Sequence, residues 1–154
     1  MHNTKGAVNR KEQAILRWNS KHMFDTLESY NIHQRKTYDS NFILPDIIPE
    51  NLMRHFIRGF FDGDGHKGIS DIGFVVNSIP FLNKICSFFK DFDHRYYEIQ
   101  GKTCIYYKLY IIGGKKLLSW TNHEFYNDAK YYLKRKYILF NPEVTIETKE
   151  SIVP

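Results

Sequence analysis

Apolar residues recur at three- and four-residue intervals in the middle of the chain. They are Leu52, Met53, Phe56, Ile57, Phe60 and Phe61. This period is typical of an amphipathic helix, and the stripe is wide enough to be buried on more than one side. We therefore predict a central helix over residues 50–62, followed by the glycine-rich run DGDGHKG.

Other strands and helices are predicted on both sides of this helix. Before it, the pattern indicates a short strand from Ala14, a helix over residues 20–30 with Ser20 as N-cap, and a proline-containing connector over residues 34–50. After it, the pattern indicates a strand over residues 69–78, a helix capped by Ser78, and an aromatic hairpin turning at residues 100–102. Residues 115–140 are helical in composition, with a break near Asn122 or Asn127.

One short pattern occurs twice. Asn19–Ser20 and Asn77–Ser78 lie 58 residues apart, and a helix with matching apolar positions follows each. Two readings stay open at this point. The similarity reflects either an internal repeat or the general form of any strand that is capped into an amphipathic helix.

Composition narrows the class of protein without naming a function. The 154 residues are 42% hydrophobic and 16% aromatic, enough for a packed core. The net charge of +5 is compatible with a polyanionic partner but does not require one. Two cysteines are too few for a disulfide framework, and the sequence has no signal-like or membrane-spanning run. We therefore expect a soluble, cytoplasmic protein in a reducing compartment, with no membrane partner.

Two acids stand at the end of the central helix, where the helix dipole disfavours negative charge. They are Asp62 and Asp64. A divalent cation would relieve this conflict, and carboxylates with the Gly63 carbonyl are ligands that suit Mg²⁺ or Ca²⁺. The alternative is an ordinary helix-ending turn, in which Gly63 and Gly65 supply the backbone freedom. A calcium loop of the EF-hand type is excluded, because the required positions hold His66, Lys67 and Gly73.

The run IRGFFDGDG, residues 57–65, resembles the LAGLIDADG motif of homing endonucleases. The resemblance extends from residue 18 to residue 140, because the predicted elements follow that family's order. It implies an α+β fold with an αββαββα repeat and an antiparallel, saddle-shaped sheet that lies in the DNA major groove.

The resemblance also implies roles for individual residues. Asp64 would be the metal-binding catalytic acid, the Gly63 carbonyl a second ligand, and Asp62 a residue that helps to end the helix. Helix-interface positions would be Gly59, Ile57 and Phe60, with Arg58 pointing away from the partner helix or meeting an acidic neighbour. Lys136, in the basic segment LKRK, would be the catalytic lysine, although a solvated lysine at a helix end is an equal alternative.

DNA contacts are expected from the hairpin and from nearby basic residues. Because side chains alternate along a strand, we predict that every second residue of each hairpin strand forms a polar set on the side that faces DNA. Nearby lysines and an arginine are expected to contact phosphates. The predicted residues are Tyr96, Glu98, Gln100, Tyr106, Lys108, Tyr110, Arg95, Lys102, Lys115 and Lys116. An ordinary exposed, tyrosine-rich sheet face is the alternative for each of them.

The sequence therefore predicts a homing endonuclease that uses Mg²⁺ to cleave both strands of a long, specific site in double-stranded DNA. One motif supplies one acid, so a homodimer or a separately encoded partner half would complete the site. The expected organisation is a partial first repeat over residues 1–50, a LAGLIDADG repeat over 51–140 and a tail over 141–154. The alternatives are a nucleic-acid-binding protein without catalysis, as in RNA splicing or transcriptional regulation, or an inactive remnant.

Overall fold

The computed structural model describes residues 19–30, 32, 42 and 48–144, and these contain five helices and four strands. In chain order they are α1 (Lys21–Ser29), α2 (Glu50–Asp64), β1 (His66–Lys67), β2 (Asp71–Val76), α3 (Ile79–Phe88), β3 (Asp93–Gln100), β4 (Ile105–Ile112), α4 (Gly114–Tyr126) and α5 (Lys134–Phe140). The α+β class is confirmed, and within the described residues the helices and strands follow the predicted order.

The boundaries of these elements follow local sequence signals. The Ser78 hydroxyl accepts a hydrogen bond from the Phe81 amide at 3.3 Å, as expected for an N-cap, and Pro80 lies in the first turn of α3. The predicted break in the last helical region occurs at Asn127, which caps α4, and not at Asn122. The strand predicted from Ala14, most of the connector and the tail beyond residue 144 lie outside the described residues.

Helix α1 begins 58 residues before α3 and has the same kind of cap. Its Ser20 hydroxyl accepts from the Met23 amide at 3.2 Å. The two helices differ in burial, because α3 buries Phe81, Leu82 and Ile85 whereas α1 buries no residue. The sequence similarity therefore corresponds to two similarly capped helices in different environments.

All strands pair antiparallel in the order β1-β2-β4-β3. One face of the sheet carries Ile72, Phe74, Val76, Leu109 and Ile111, each no more than 4% exposed. These side chains pack against the helices, and Phe61 of α2 lies at the centre, with its ring 5.6–5.9 Å from those of Phe74, Phe125 and Phe140. This aromatic core fixes α2 against the sheet.

In the described part of the chain, none of the helices is long and apolar enough to cross a membrane.

Candidate active site and nucleic-acid interface

The two acids at the end of α2 have different environments. Asp62 is only 5% exposed, and its carboxylate accepts hydrogen bonds from the Tyr126 hydroxyl at 2.8 Å and from the Leu133 amide at 3.0 Å. Asp64 is exposed. Asp62 therefore joins α2 to α4 and to the segment before α5, which is a different role from the expected one of ending the helix.

Helix α2 ends two residues later than predicted, at Asp64, with Gly65 as its cap. Gly65 has φ −71° and ψ 162°, so it does not use the left-handed conformation that often ends helices at glycine. A Cβ atom at Gly65 would lie 2.3 Å from Cδ2 of Phe61. Gly65 is therefore required by close packing, and Gly63 lies inside the helix.

Basic side chains from α5 cover the carbonyl end of α2. Arg135 Nη2 donates to the carbonyl of Asp62 at 3.1 Å and to that of Gly63 at 3.5 Å, and the Lys136 ammonium group donates to the Gly65 carbonyl. Cations at this position complement the helix dipole. The chain's own cations therefore relieve the electrostatic conflict that the sequence presents at this helix end, and a metal ion is not needed to explain it.

Lys136 is buried, with 6% of its surface exposed, and its ammonium nitrogen lies 5.1 Å from the centre of the Phe61 ring. Burial is the main cause of a lowered pKa for Lys136, and Arg135 also lowers it, whereas the charges of Asp62 and Asp64 raise it. The alternative of a solvated lysine at a helix end is therefore wrong. The structure brings Lys136 to the turn that carries Asp64.

The donors available for a divalent cation are few. No group of three or more His, Cys, Asp or Glu side chains suited to a metal occurs in the part of the chain that the structure describes. The Asp64 carboxylate and the Gly63 carbonyl are hard oxygen ligands. Mg²⁺ is commonly held by one or two carboxylates together with substrate phosphates and water. This donor set fits Mg²⁺ when a phosphate or a second chain supplies the remaining ligands.

One side of α2 is exposed to solvent. Leu52, Gly59 and Gly63 are exposed along it, and a Cβ atom at either glycine would meet no described residue within 4 Å. Ile57 is 0% exposed and packs in the domain's own core, so a contact between Ile57 and a partner helix is incompatible with the structure. Phe60 is half-buried and stacks on Phe74 at 5.9 Å.

Arg58 is directed away from the exposed side of α2. Its Nη1 donates to the Phe125 carbonyl at 3.1 Å and to Nδ1 of His55 at 3.0 Å. Arg58 therefore meets a carbonyl near the end of α4, and not the acidic neighbour that was the second expectation.

The register of the hairpin corrects the predicted DNA-facing set. Arg95 pairs with Tyr110, Tyr97 with Lys108 and Ile99 with Tyr106. Because directly paired residues share a face, Arg95 and Tyr97 lie with Tyr106, Lys108 and Tyr110 on the face opposite the helices. Tyr96, Glu98 and Gln100 project to the other face, where Tyr96 pairs with the core residue Leu109. The prediction that these three residues share a face with Tyr106, Lys108 and Tyr110 is therefore wrong.

We call the side of the sheet opposite the helices the open face, defined by Arg95, Tyr97, Tyr106, Lys108 and Tyr110. Arg95, Lys108 and Tyr97 are exposed, and the Tyr97 and Tyr110 rings meet edge to face at 6.0 Å. A depression of about 300 Å³ on this face is lined by Asp71, Arg95, Tyr97, Tyr110 and Ile112. Tyr97 is absent from the predicted set, because only its pairing with Lys108 places it on this face.

The remaining basic residues predicted to contact DNA are exposed but lie outside the strands. Lys102 is in the hairpin loop, and Lys115 and Lys116 are in the first turn of α4. The Lys116 nitrogen lies 5.9 Å from the centre of the Phe92 ring. All three lysines are accessible to a polyanion.

Residues 51–123 match the sequence profile of the LAGLIDADG-like domain. No curated protein and no solved structure matches the chain. The matched region runs from α2 through the sheet to α4, and it includes Gly59, Gly63 and Asp64. The family consists in general of nucleases and related nucleic-acid-binding proteins, many of which form dimers. Residues 51–123 therefore form a LAGLIDADG-like domain, which supports the resemblance to the LAGLIDADG homing endonuclease family.

Proposed function

We propose that the chain is one half of a Mg²⁺-dependent endonuclease that cleaves double-stranded DNA at a long specific site. The observation that carries the proposal is the contrast between two acids on one helix. Asp62 is buried and hydrogen-bonded, whereas Asp64 ends the same helix with an exposed carboxylate. Within the described residues, the Asp64 carboxylate has no hydrogen-bond or salt-bridge partner, so it is available for a metal.

The open face supplies chemistry suited to DNA. Arginine and lysine side chains contact phosphates or guanine edges, and tyrosine hydroxyls donate to phosphates and bases. Arg95, Lys108 and the tyrosines of the open face would contact the duplex, and Lys102, Lys115 and Lys116 would contact phosphates at its margins. Contacts of the phosphate class contribute affinity, and contacts to base edges contribute specificity.

At the end of α2, Asp64 and the Gly63 carbonyl would hold Mg²⁺ against a phosphate of the DNA. The bound cation would activate a water molecule and stabilise the leaving oxygen. Lys136 fixes the turn after Asp64 through the Gly65 carbonyl and adds positive potential where negative charge develops. Arg135 donates to the Asp62 carbonyl and adds a second positive charge at the end of α2.

A second half is part of the proposal because the end of α2 supplies one exposed acid, Asp64. The exposed stripe of Leu52, Gly59 and Gly63 on α2 is apolar or small, so another α2 helix could approach it closely. A homodimer or a separately encoded half would then bring two Asp64-type acids together, one for each DNA strand.

A second candidate is a nucleic-acid-binding protein without nuclease activity. Two observations favour it. The Gly63 carbonyl already accepts a long hydrogen bond from Arg135, and the described residues contain no group of three or more metal-binding side chains. Such a protein would bind through the same open face, and its binding would be indifferent to metal.

Metal dependence separates the two candidates. The full chain is incubated with duplex DNA of randomised sequence, in Mg²⁺ or in EDTA, and newly formed ends are ligated and sequenced. A recurring cleaved sequence in Mg²⁺ that disappears in EDTA supports the nuclease. Binding without new ends in either condition supports the second candidate and contradicts the first, and neither binding nor cleavage contradicts both.

A further inference from the structure

The segment between α4 and α5, residues 127–133, exposes several aromatic and basic side chains. Tyr131 is 75% exposed, and Tyr132 and Leu133 are each more than 40% exposed. The Lys130 ammonium nitrogen lies 5.4 Å from the centre of the Tyr131 ring. Single exposed apolar residues are ordinary, but three in succession between lysines form a continuous surface.

These side chains line a groove of about 400 Å³. Its lining residues are Lys130, Tyr131, Tyr132, Lys134, Tyr137 and Val144, and we call it the tyrosine–lysine groove. The volume lies within the range of about 300–1,000 Å³ that small ligands occupy. The groove is therefore large enough for a nucleotide.

The groove is positively charged. Asp128, the acid of the same segment, is bound by Arg54. Within the described ranges, no carboxylate pairs with Lys130 or Lys134. The groove therefore combines two ammonium groups that have no ionic partner there with three tyrosine rings.

The groove is also held in place beside the proposed active site. The Leu133 amide donates to Asp62 on α2, and the Tyr132 ring packs on those of Tyr126 at 5.6 Å and Tyr137 at 5.1 Å. Arg135, one residue beyond the groove, donates to the carbonyl of Asp62. An occupant of the groove would therefore lie close to the turn that carries Asp64.

We propose that the tyrosine–lysine groove binds an unpaired segment of nucleic acid, with a base stacked on Tyr131 and phosphates on Lys130 and Lys134. Aromatic rings interleaved with basic groups are the combination that binds single strands, because an unpaired base offers its ring face and the strand keeps its charge. In a duplex, the base faces are covered by neighbouring bases, so the groove selects frayed, displaced or single-stranded segments. This inference rests on the proposed function, and it adds a second nucleic-acid site to the open face.

The test measures the affinity of the full chain for two probes, a labelled oligothymidylate and a blunt duplex, by fluorescence anisotropy. We expect Tyr131→Ala to bind the oligothymidylate about five-fold to a hundred-fold more weakly, the range for loss of one base–aromatic stack, with little change for the duplex. Tyr131→Phe keeps the ring and should bind the single strand as the original chain does. Lys130→Gln should lower the dependence of single-strand affinity on salt.

Lys90→Gln is the matched control, because Lys90 is an exposed lysine just after α3 and outside the groove. Equal affinity of Tyr131→Ala and the original chain for the oligothymidylate would overturn the inference, as would equal losses in Tyr131→Ala and Tyr131→Phe. Binding of the duplex but not of the single strand would overturn the proposed role of the groove and would not contradict the proposed function. Binding of neither probe would contradict the proposed function and the groove together.

Discussion

Replacing Asp62 by asparagine tests whether this carboxylate is a structural link. Asp62→Asn keeps the shape of the side chain but removes its charge and replaces one acceptor by an NH₂ donor. If the amide oxygen faces the Tyr126 hydroxyl, the NH₂ group faces the Leu133 amide, and two donors oppose each other. The substitution therefore loses one hydrogen bond and weakens the other.

The size of the effect follows from these two bonds. Hydrogen bonds to charged groups contribute about 1.5–3 kcal/mol, and those between neutral groups about 0.5–1.5 kcal/mol. Loss of the Leu133 bond and weakening of the buried Tyr126 bond should lower the free energy of unfolding by about 2–4 kcal/mol. With a typical urea slope for a small domain, the unfolding midpoint should fall by about 1–2 M.

Urea titration followed by Trp120 fluorescence measures this change, because the Trp120 ring packs with those of Phe88, Phe89 and Phe92 in the core. Asp64→Asn is the matched control, with the same chemistry two residues away on the same helix. Because Asp64 is exposed, its substitution should change the free energy of unfolding by no more than about 0.5 kcal/mol. A midpoint for Asp62→Asn that is no lower than that of Asp64→Asn would refute this reasoning.

Three further predictions concern alkaline stability, the open face and the α2 stripe. Burial first, and then the hydrogen bond and charge of Asp62, raise the pKa of Tyr126. The contribution of the neutral Tyr126 hydroxyl to the free energy of unfolding is therefore complete below about pH 10 and is lost as the pH rises above that value. The stability advantage of the original chain over Tyr126→Phe should shrink by about 1.4 kcal/mol per pH unit above pH 10 in urea titrations, and a constant advantage would contradict the assigned cause. Arg95→Gln and Lys108→Gln should each reduce the slope of log duplex affinity against log salt concentration by about one, the loss of one phosphate contact. Glu98→Gln, on the other face of the sheet, should leave this slope unchanged, and equal slopes in all three variants would contradict the assignment of the open face. Gly59→Leu should preserve or raise the unfolding temperature, because its Cβ would meet nothing within 4 Å in the described part of the chain. It should weaken self-association in sedimentation measurements, and unchanged association of a dimeric chain would contradict helix pairing at Gly59.

Elements with a local cause were predictable from the sequence. The apolar period indicated α2, and the hydroxyls of Ser20 and Ser78 marked the starts of α1 and α3. Strand β1 has only two residues, too few for any period, so the residue pattern did not indicate it, although the αββαββα order implied by the resemblance includes a strand at this place. Helix α2 was predicted too short because Gly63 reads as a stop signal, although its backbone is helical.

The faces of the hairpin could not be predicted because they depend on register. The four residues 101–104 connect the strands, so Gln100 pairs with Ile105 and odd positions of β3 share a face with even positions of β4. The prediction placed even positions of both strands on one face. That assignment puts the side chains of one strand on the wrong face, because a shift of one residue in register moves every side chain to the other side of the sheet. Tyr97 was missed for this reason.

The environment of the α2 end depends on contacts between residues far apart in sequence. Asp62 meets Tyr126 and Leu133, and Lys136 reaches the Gly65 carbonyl from 71 residues away. No local pattern encodes such pairs. The motif resemblance selected Lys136 and Asp64, but burial of Asp62 and the role of Arg135 required the structure.

The central claim is that Asp64 is the metal-binding acid of a DNA endonuclease. The most direct measurement compares the original chain, Asp64→Asn and Asp91→Asn on a duplex site recovered from the randomised pool, recording cleavage in Mg²⁺ and affinity in EDTA. Asp91 is an exposed acid after α3, so its variant should cleave normally. We predict that Asp64→Asn abolishes cleavage and keeps the affinity of the original chain for the site. Cleavage by Asp64→Asn at the original rate, or parallel loss of cleavage and affinity, would contradict the claim.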